Sequence, residues 1–265
     1  MSEKKLIISG FGTVGRSLVR EILKRRPFNA LNIVALVDSK GAAVNKSGFT
    51  TDTLIELLKT SRGGLSKHPK YGFPGFDTKS VMEMIEADVL VELTPSNYRT
   101  EEPGVSNVLK AIDLGLDIVL ANKSPIALLG LDLLKKAKSS GVKILYRATV
   151  MGGTPLIPLV KSIKDSVKRI YGVLNATTNY ILTLMYEYNE TFENALFRAQ
   201  REGIAEADPS LDIDGLDVAA KLSILACSLN YNLKISNVIR ESLRNISLEE
   251  VINKKKEDKI PKIYS

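Results

Sequence analysis

Lys4-Lys5-Leu6-Ile7-Ile8-Ser9-Gly10-Phe11-Gly12-Thr13-Val14-Gly15 decides the fold of the first half of the chain. An apolar run of strand length ends in glycines at the G-x-G-x-x-G spacing, and Val14, Leu18 and Ile22 then recur at helical intervals up to Arg26. The spacing alone is a weak signal. It gains force from its setting, because a second apolar strand, Asn32 to Asp38, follows the helix and ends in an acid 23 residues past Gly15. Glycines there permit a tight turn, close approach to a pyrophosphate and close helix–strand packing. The helix start adds unpaired N–H groups and the positive end of a dipole. Gly10, Phe11, Gly12, Thr13, Val14 and Gly15 are therefore expected to hold a dinucleotide, and Asp38 its adenosine ribose. An acid at 38 favours NAD, whereas Lys40 and Lys46 could accommodate the extra phosphate of NADP, so both cofactors stay open.

The alternation continues outward. Helices are expected over Thr50 to Ser61, Ser80 to Glu86, Glu101 to Leu114 and Ile126 to Ser139, with strands over Asp88 to Leu93, Asp117 to Ala121 and Lys143 to Tyr146. Arg62 to Phe76, rich in Gly, Pro and Lys, reads as a loop. Strands apolar on both faces and alternating with helices imply an α/β protein with a Rossmann-type, doubly wound parallel sheet. Ligands bind such sheets beyond the carboxyl ends of the strands. Thr94-Pro95-Ser96-Asn97, rich in hydroxyls and amides, stands there and suits a nicotinamide ribose; Ala121-Asn122-Lys123-Ser124-Pro125 stands at the next strand end and aims a lysine into the cleft. Gly152-Gly153-Thr154-Pro155 breaks the pattern, which divides the chain into a dinucleotide-binding domain, 1–147, and a second domain, 148–265. The second domain reads as α+β with few strands: a strand over Val167 to Leu174, then helices over Tyr180 to Tyr188, Phe192 to Glu202, Leu216 to Leu229, Asn237 to Arg244 and Leu248 to Lys256.

Composition narrows the function. With 265 residues, 44% hydrophobic and 25% charged, the chain can form two modest cores. The net charge of +7 is spread along the chain, and its densest run, Lys254-Lys255-Lys256, is flanked by Glu249, Glu250, Glu257 and Asp258. That is a solvated helix face rather than a nucleic-acid patch, and the positive field suits anionic cofactors. The single Cys227 lies in an apolar run and excludes an internal disulfide; the single His68 leaves no Ser-His-Asp or His–metal mechanism. No signal-peptide pattern or membrane-length apolar stretch is present, so a cytoplasmic protein without membrane or nucleic-acid partners is expected.

The most informative local stretch is Gly203 to Lys221, with Glu206, Asp208, Asp212, Asp214 and Asp217 ahead of an apolar helix. So many like charges repel one another unless cations neutralise them. Calcium-loop spacing is missing. Asp217 and Lys221, four apart, share one helix face bordered by Leu216, Val218, Leu222 and Leu225. Such a pair is either a surface ion pair of little consequence or, on a mostly buried helix, a lysine poised to move a proton.

Together with Gly10 to Gly15, the blocks Ala-Asn-Lys-Ser-Pro (121–125), Ala-Thr-Val-Met-Gly-Gly-Thr-Pro (148–155), Leu-Asn-Ala-Thr-Thr-Asn-Tyr-Ile-Leu (174–182) and Glu-Ala-Asp-Pro…Asp-Ile-Asp-Gly-Leu-Asp-Val-Ala-Ala-Lys (206–221) resemble homoserine dehydrogenase of the monofunctional kind, from residue 4 to about 250. The resemblance implies NAD(P)-linked interconversion of L-homoserine and L-aspartate 4-semialdehyde, in the pathway to threonine, methionine and isoleucine, by a homodimer whose second domain binds substrate and dimerises. It implies Lys221 as proton donor and acceptor, Glu206 and Asp217 on the substrate, Lys123 on cofactor and substrate, and Thr94 and Gly203 at the nicotinamide end. It also implies a sodium ion on backbone oxygens of Val150, Gly152 and Thr154. Three departures stand out: Arg147 where the family usually has Glu, Ile204 where it often has Tyr, and an end near the opening of a strand at Lys259 to Tyr264 that relatives continue. Two other readings follow, a different small amino-acid NAD(P) dehydrogenase or a cofactor-binding protein without turnover.

Overall fold

The computed structural model describes residues 3–25 and 30–264. They form two compact units, Met1–Gly153 and Thr154–Ser265. The first unit opens with β1 (Lys4–Ser9) and α1 (Thr13–Arg25), the latter beginning at the glycine turn; Arg26, to which the sequence pattern extends this helix, lies outside the described residues. There follow β2 (Leu31–Asp38), β3 (Gly41–Val44), α2 (Thr51–Lys59), β4 (Gly72–Pro74), α3 (Thr78–Met84), β5 (Val89–Glu92), α4 (Gly104–Asp113), β6 (Asp117–Leu120), α5 (Ser124–Leu129), α6 (Leu131–Ser139) and β7 (Ile144–Leu145).

The sheet order is β4-β3-β2-β1-β5-β6-β7. β1 pairs in parallel with β2 on one side and β5 on the other, so successive strands step outward in opposite directions from it. The carboxyl ends of β1 and β5 therefore mark the topological switch point, where a crevice for a ligand opens. Leu6, Ile7 and Ile8 are almost fully buried because helices cover both faces of this central strand. Leu6, Ile8, Leu36 and Val91 share one face with Phe11, Val19 and Leu57, which docks α1 and α2 against the sheet.

Three expectations are corrected in the first unit. The sheet is parallel only over β2-β1-β5-β6-β7, because β3 and β4 join its edge antiparallel. A two-residue turn reverses the chain after Asp38, with Gly41 at φ +147 and a Cβ there only 2.4 Å from the Phe73 carbonyl oxygen. Gly41-Ala-Ala-Val44 is buried throughout, so it lacks the alternation that signals a strand, and β4 lies inside the segment expected to be loop. The helix expected over residues 126–139 is likewise two, α5 and α6, broken at Gly130 with φ +61.

The second unit is helical among the described residues: α7 (Leu156–Ser162), α8 (Ala176–Tyr188), α9 (Phe192–Arg201), the short α10 (Ser210–Ile213), α11 (Leu216–Ser228) and α12 (Leu248–Lys256). Its core joins Ile181, Leu182, Leu184 and Met185 of α8 to Ala195 and Ala199 of α9, Ile213, Leu243 and Val251. Small alanines on α9 let the two helices approach closely. Residues 167–174, expected as a strand, are not assigned to one; Tyr171 and Val173 are exposed, and among the described residues no strand pairs with them. An extended segment becomes a strand only when a partner takes its N–H and C=O groups. The helix expected over residues 237–244 is instead two 3-10 turns, Ile235–Asn237 and Leu243–Asn245. No described helix is long and apolar enough to cross a membrane.

Candidate active site

The glycine turn takes the shape its spacing predicts. Gly10 has φ +96 and its α-carbon faces the chain after β5, where a Cβ would stand 2.6 Å from the Leu93 carbonyl carbon. A Cβ on Gly15 would lie 2.4 Å from the Gly10 carbonyl oxygen, so this residue sets how closely α1 approaches β1. A Cβ on Gly12 would meet nothing within 4 Å. The middle glycine is therefore free of demands from the fold and leaves open room beside the first amides of α1, where a phosphate group fits. Thr13 and Val14 are exposed at this helix start. Phe11 is 1% exposed, so its ring belongs to the core and only its backbone can face a ligand. Arg16, which the sequence reading passed over, stacks on Phe11 at 4.5 Å and donates to the carbonyls of Leu58 and Ser61.

Asp38 closes β2 at the expected place. Its Oδ1 accepts from the Lys40 amide at 2.9 Å and its Oδ2 from the Leu65 amide at 3.1 Å, which fixes the carboxylate at the crevice edge. Thr94 stands at the end of β5, its hydroxyl bonded to Glu92 and accepting from Asn122 Nδ2 at 3.0 Å. Lys123 is half-buried at the N-terminus of α5, with its amide donating to Ser96 Oγ at 3.0 Å. Thr94 and Lys123 thus stand on loops that Asn122 and Ser96 tie together.

The acid block of the second unit separates into distinct tasks. Asp208 caps a turn by accepting from the Ser210 amide. Asp214 takes a forked pair of bonds from Arg244 at 2.7 and 3.0 Å, and this guanidinium holds the Asp214 carboxyl below its ordinary range. Asp212 and Asp217 converge on Asn175, whose Nδ2 donates to Asp212 Oδ1 at 2.7 Å and to Asp217 Oδ2 at 3.0 Å. Thr177 Oγ1 donates to the second oxygen of Asp212 at 2.7 Å. Lys221 Nζ sits 2.5 Å from Asp217 Oδ2 and donates to the Leu174 carbonyl at 2.6 Å. Both side chains of this ion pair are only 14% exposed, which sets it apart from the solvent-screened surface pairs elsewhere. A lysine held by one carboxylate and one carbonyl, at the edge of a polar cluster, can deliver or take up a proton at a fixed point.

Residues 10–147 match the family model described as "Homoserine dehydrogenase, NAD binding domain", and residues 155–265 match the one described as "Homoserine dehydrogenase". The chain belongs to the homoserine dehydrogenase family. It is 37% identical to the homoserine dehydrogenase of Methanocaldococcus jannaschii over 252 residues, covering 92% of this chain and 74% of the relative. The homoserine dehydrogenase of Sulfurisphaera tokodaii is also 37% identical, over 93% of this chain and 73% of its own length. A hyperthermophilic archaeal homoserine dehydrogenase mutant, solved in complex with NADPH, superposes with a TM-score of 0.78 at 30% identity over 94% of this chain and 76% of its own. The chain is an NAD(P)-dependent oxidoreductase of this family with a Rossmann-type cofactor domain.

Within this homoserine dehydrogenase, the structure brings Asp217 and Lys221 together and adds Asn175, Thr177 and Asp212, which sequence reasoning did not single out as site residues. Their signal was present: Asn175 is the N-cap of α8, its Oδ1 accepting from the Thr178 amide at 2.8 Å, and an Asn before a helical run is the usual mark of one. Glu206 is exposed and outside this network. Gly203, with φ +73, ends α9. Val150 is buried, Met151 adopts φ +47, and Gly152 and Thr154 are exposed. The Thr154 carbonyl accepts from the Leu156 amide, and Arg147 is exposed. The His68 side chain is 7% exposed, with Nδ1 accepting from the amides of Lys70 and Tyr71, a role in loop structure.

Proposed function

We propose that this homoserine dehydrogenase interconverts L-homoserine and L-aspartate 4-semialdehyde with Lys221 as its proton donor and acceptor. The observation that carries this reading is the Lys221 ammonium held 2.5 Å from Asp217 and 2.6 Å from the Leu174 carbonyl on a half-sheltered face. In the reductive direction Lys221 gives its proton to the aldehyde oxygen as that oxygen becomes a hydroxyl; in the oxidative direction it takes the proton back. NAD(P), when bound, supplies or accepts the hydride at the same carbon. Asp217 keeps the lysine in place and, with Glu206, offers negative charge to the substrate ammonium. Lys123 contacts cofactor and substrate, and Gly203 and Thr94 the nicotinamide end.

The cofactor is held by the backbone of Gly10 to Gly15, with Asp38 on the adenosine ribose. Open space at Gly12 and the helix start beside it support that reading. A cytoplasmic homodimer is the form we propose. The exposed Leu159, Ile163, Tyr171 and Val173 support the dimer, and the water-soluble substrate supports the location.

The test is steady-state oxidation of homoserine with NAD and with NADP, wild type against Lys221→Ala. The variant should lose about 10²- to 10⁴-fold in kcat while binding cofactor as before. Undiminished turnover in Lys221→Ala would falsify the mechanism. Turnover of aspartate in place of homoserine indicates another amino-acid dehydrogenase, and cofactor binding without turnover indicates a protein that only binds.

A further inference from the structure

Glu92 is the one fully buried acidic side chain among the described residues, at 0% exposure. An acid in such a place is costly unless donors surround it, and here they do. Ser9 and Glu92 are register partners at the carboxyl ends of β1 and β5, so both side chains lie on the same face at the switch point. Oε1 of Glu92 accepts from the Thr94 amide at 2.9 Å and from the Thr94 hydroxyl. Oε2 accepts from Asn107 Nδ2 on α4 at 2.9 Å. The same Asn107 amide reaches Ser9 Oγ at 3.4 Å, and Ser9 Oγ lies 2.7 Å from Thr78 Oγ1 on α3. On the other side of Thr94, Asn122 Nδ2 donates both to its Oγ1 and, at 3.3 Å, to the Pro95 carbonyl. The network thus joins the ends of β1 and β5 and the loop after β6.

We propose that Glu92 is a positioning residue for the nicotinamide end of the cofactor. By accepting both donors of Thr94 it fixes the loop from Thr94 to Asn97 and, through Asn122, ties it to the turn carrying Lys123. The inference rests on the reading of Thr94 as a contact to that end of the cofactor. An ionised carboxylate, which only accepts, suits the task where an amide does not. Two donors from Thr94 converge on one oxygen and the Asn107 amide on the other, whereas glutamine would turn a donor of its own toward one of them. The Leu93–Thr94 peptide also rests against Gly10, with 2.7 Å between the Thr94 nitrogen and a Cβ placed there. Burial pushes the Glu92 pKa up, and the bonds from Thr94, Asn107 and Ser9 oppose that shift only in part.

The experiment compares calorimetric binding of NADH with that of ADP-ribose, which lacks the nicotinamide. Glu92→Gln should weaken NADH about tenfold, as expected when a buried donor loses its acceptor, and leave ADP-ribose within about twofold. Adding Asn107→Asp to Glu92→Gln should restore most of the loss, because the introduced amide then faces an acceptor. Thr94→Val should show the same selective loss as Glu92→Gln. Equal weakening of both ligands by Glu92→Gln, or no change in either while Thr94→Val remains selective, overturns the proposal. A Thr94→Val protein that keeps the wild-type ratio shows that the reading of Thr94 itself is wrong, and the proposal falls with it. If Glu92→Gln does not fold, Asn122→Ser, which frees the Thr94 hydroxyl from its other partner, carries the test; an unchanged NADH to ADP-ribose ratio there overturns the proposal.

Discussion

Asn175 works at both ends of its side chain, and the two ends can be separated by mutation. The oxygen caps α8, and the nitrogen joins Asp212 to Asp217 at 2.7 and 3.0 Å. Asn175→Ser keeps a cap of similar quality and deletes the bridge; Asn175→Ala deletes both. A lost cap costs about 1 kcal/mol. A hydrogen bond to a charged group contributes ~1.5–3 kcal/mol. Asp212 retains Thr177, however, and Asp217 retains Lys221, so the bridge as a whole is worth about 2 kcal/mol. At roughly 2–4 °C per kcal/mol, the serine variant should melt about 4–8 °C lower and the alanine variant about 6–12 °C lower. Activity should divide differently. Without the bridge, Asp217 stays paired with Lys221 but loses the bond from Asn175 that fixes its own position, so kcat for homoserine oxidation should fall about tenfold or more in both variants. The cofactor KM should stay unchanged. Calorimetric melting and initial rates of reduced-cofactor formation measure the two effects. A serine variant with wild-type kcat beside a crippled alanine variant would refute the reasoning, because activity would then follow the cap instead of the bridge.

The two helix-side glycines of the turn should respond in opposite ways. Gly12→Ala has open space for its methyl, so its melting temperature should match wild type while NAD(P) affinity drops by about tenfold or more, because a ligand phosphate must share that space. Gly15→Ala places a methyl 2.4 Å from the Gly10 carbonyl, so it should lower the melting temperature even without cofactor; a normal melt would show that α1 can shift outward freely. The pH dependence of stability should reveal Glu92. Its folded pKa is raised by burial, so between the ordinary carboxylate value of about 4.3 and that raised value the folded protein holds more protons than the unfolded one. Stability from this group is therefore complete below about pH 4 and is lost as pH climbs through the folded pKa. Relative to Glu92→Gln, wild type should lose melting temperature on going from acid to neutral pH. A wild type that instead gains on the variant would mean that Glu92 is stabilised as an ion.

What the sequence could reveal depended on how far apart the cooperating residues lie. The glycine turn and Asp38 belong to one local strand-helix-strand unit, so spacing read in that setting predicts the dinucleotide fold. The β3–β4 hairpin escaped because Gly41-Ala-Ala-Val44 is too short and too uniformly buried to show a period, and its partner sits in a Gly/Pro-rich stretch. Residues 167–174 mislead in the opposite way, since their sequence suits a strand while pairing depends on a partner that local sequence does not encode. The sites follow the same rule. Asp217 and Lys221 are one helical turn apart and stand out at once, whereas Asn175 meets Asp217 across 42 residues. Glu92 is the extreme case. Asp88 and Glu92 lie four apart with apolar Leu90 between them, so the local sequence marks Glu92 neither as part of a solvated face nor as buried. Its meaning arises only when the parallel pairing of β1 with β5 brings Ser9 alongside and α4 lays Asn107 over both. A buried acid at the carboxyl end of a strand beside the switch point is thus better evidence of a positioned loop than the loop's own residues, because the fold would discard so costly a group if nothing depended on where Thr94 stands.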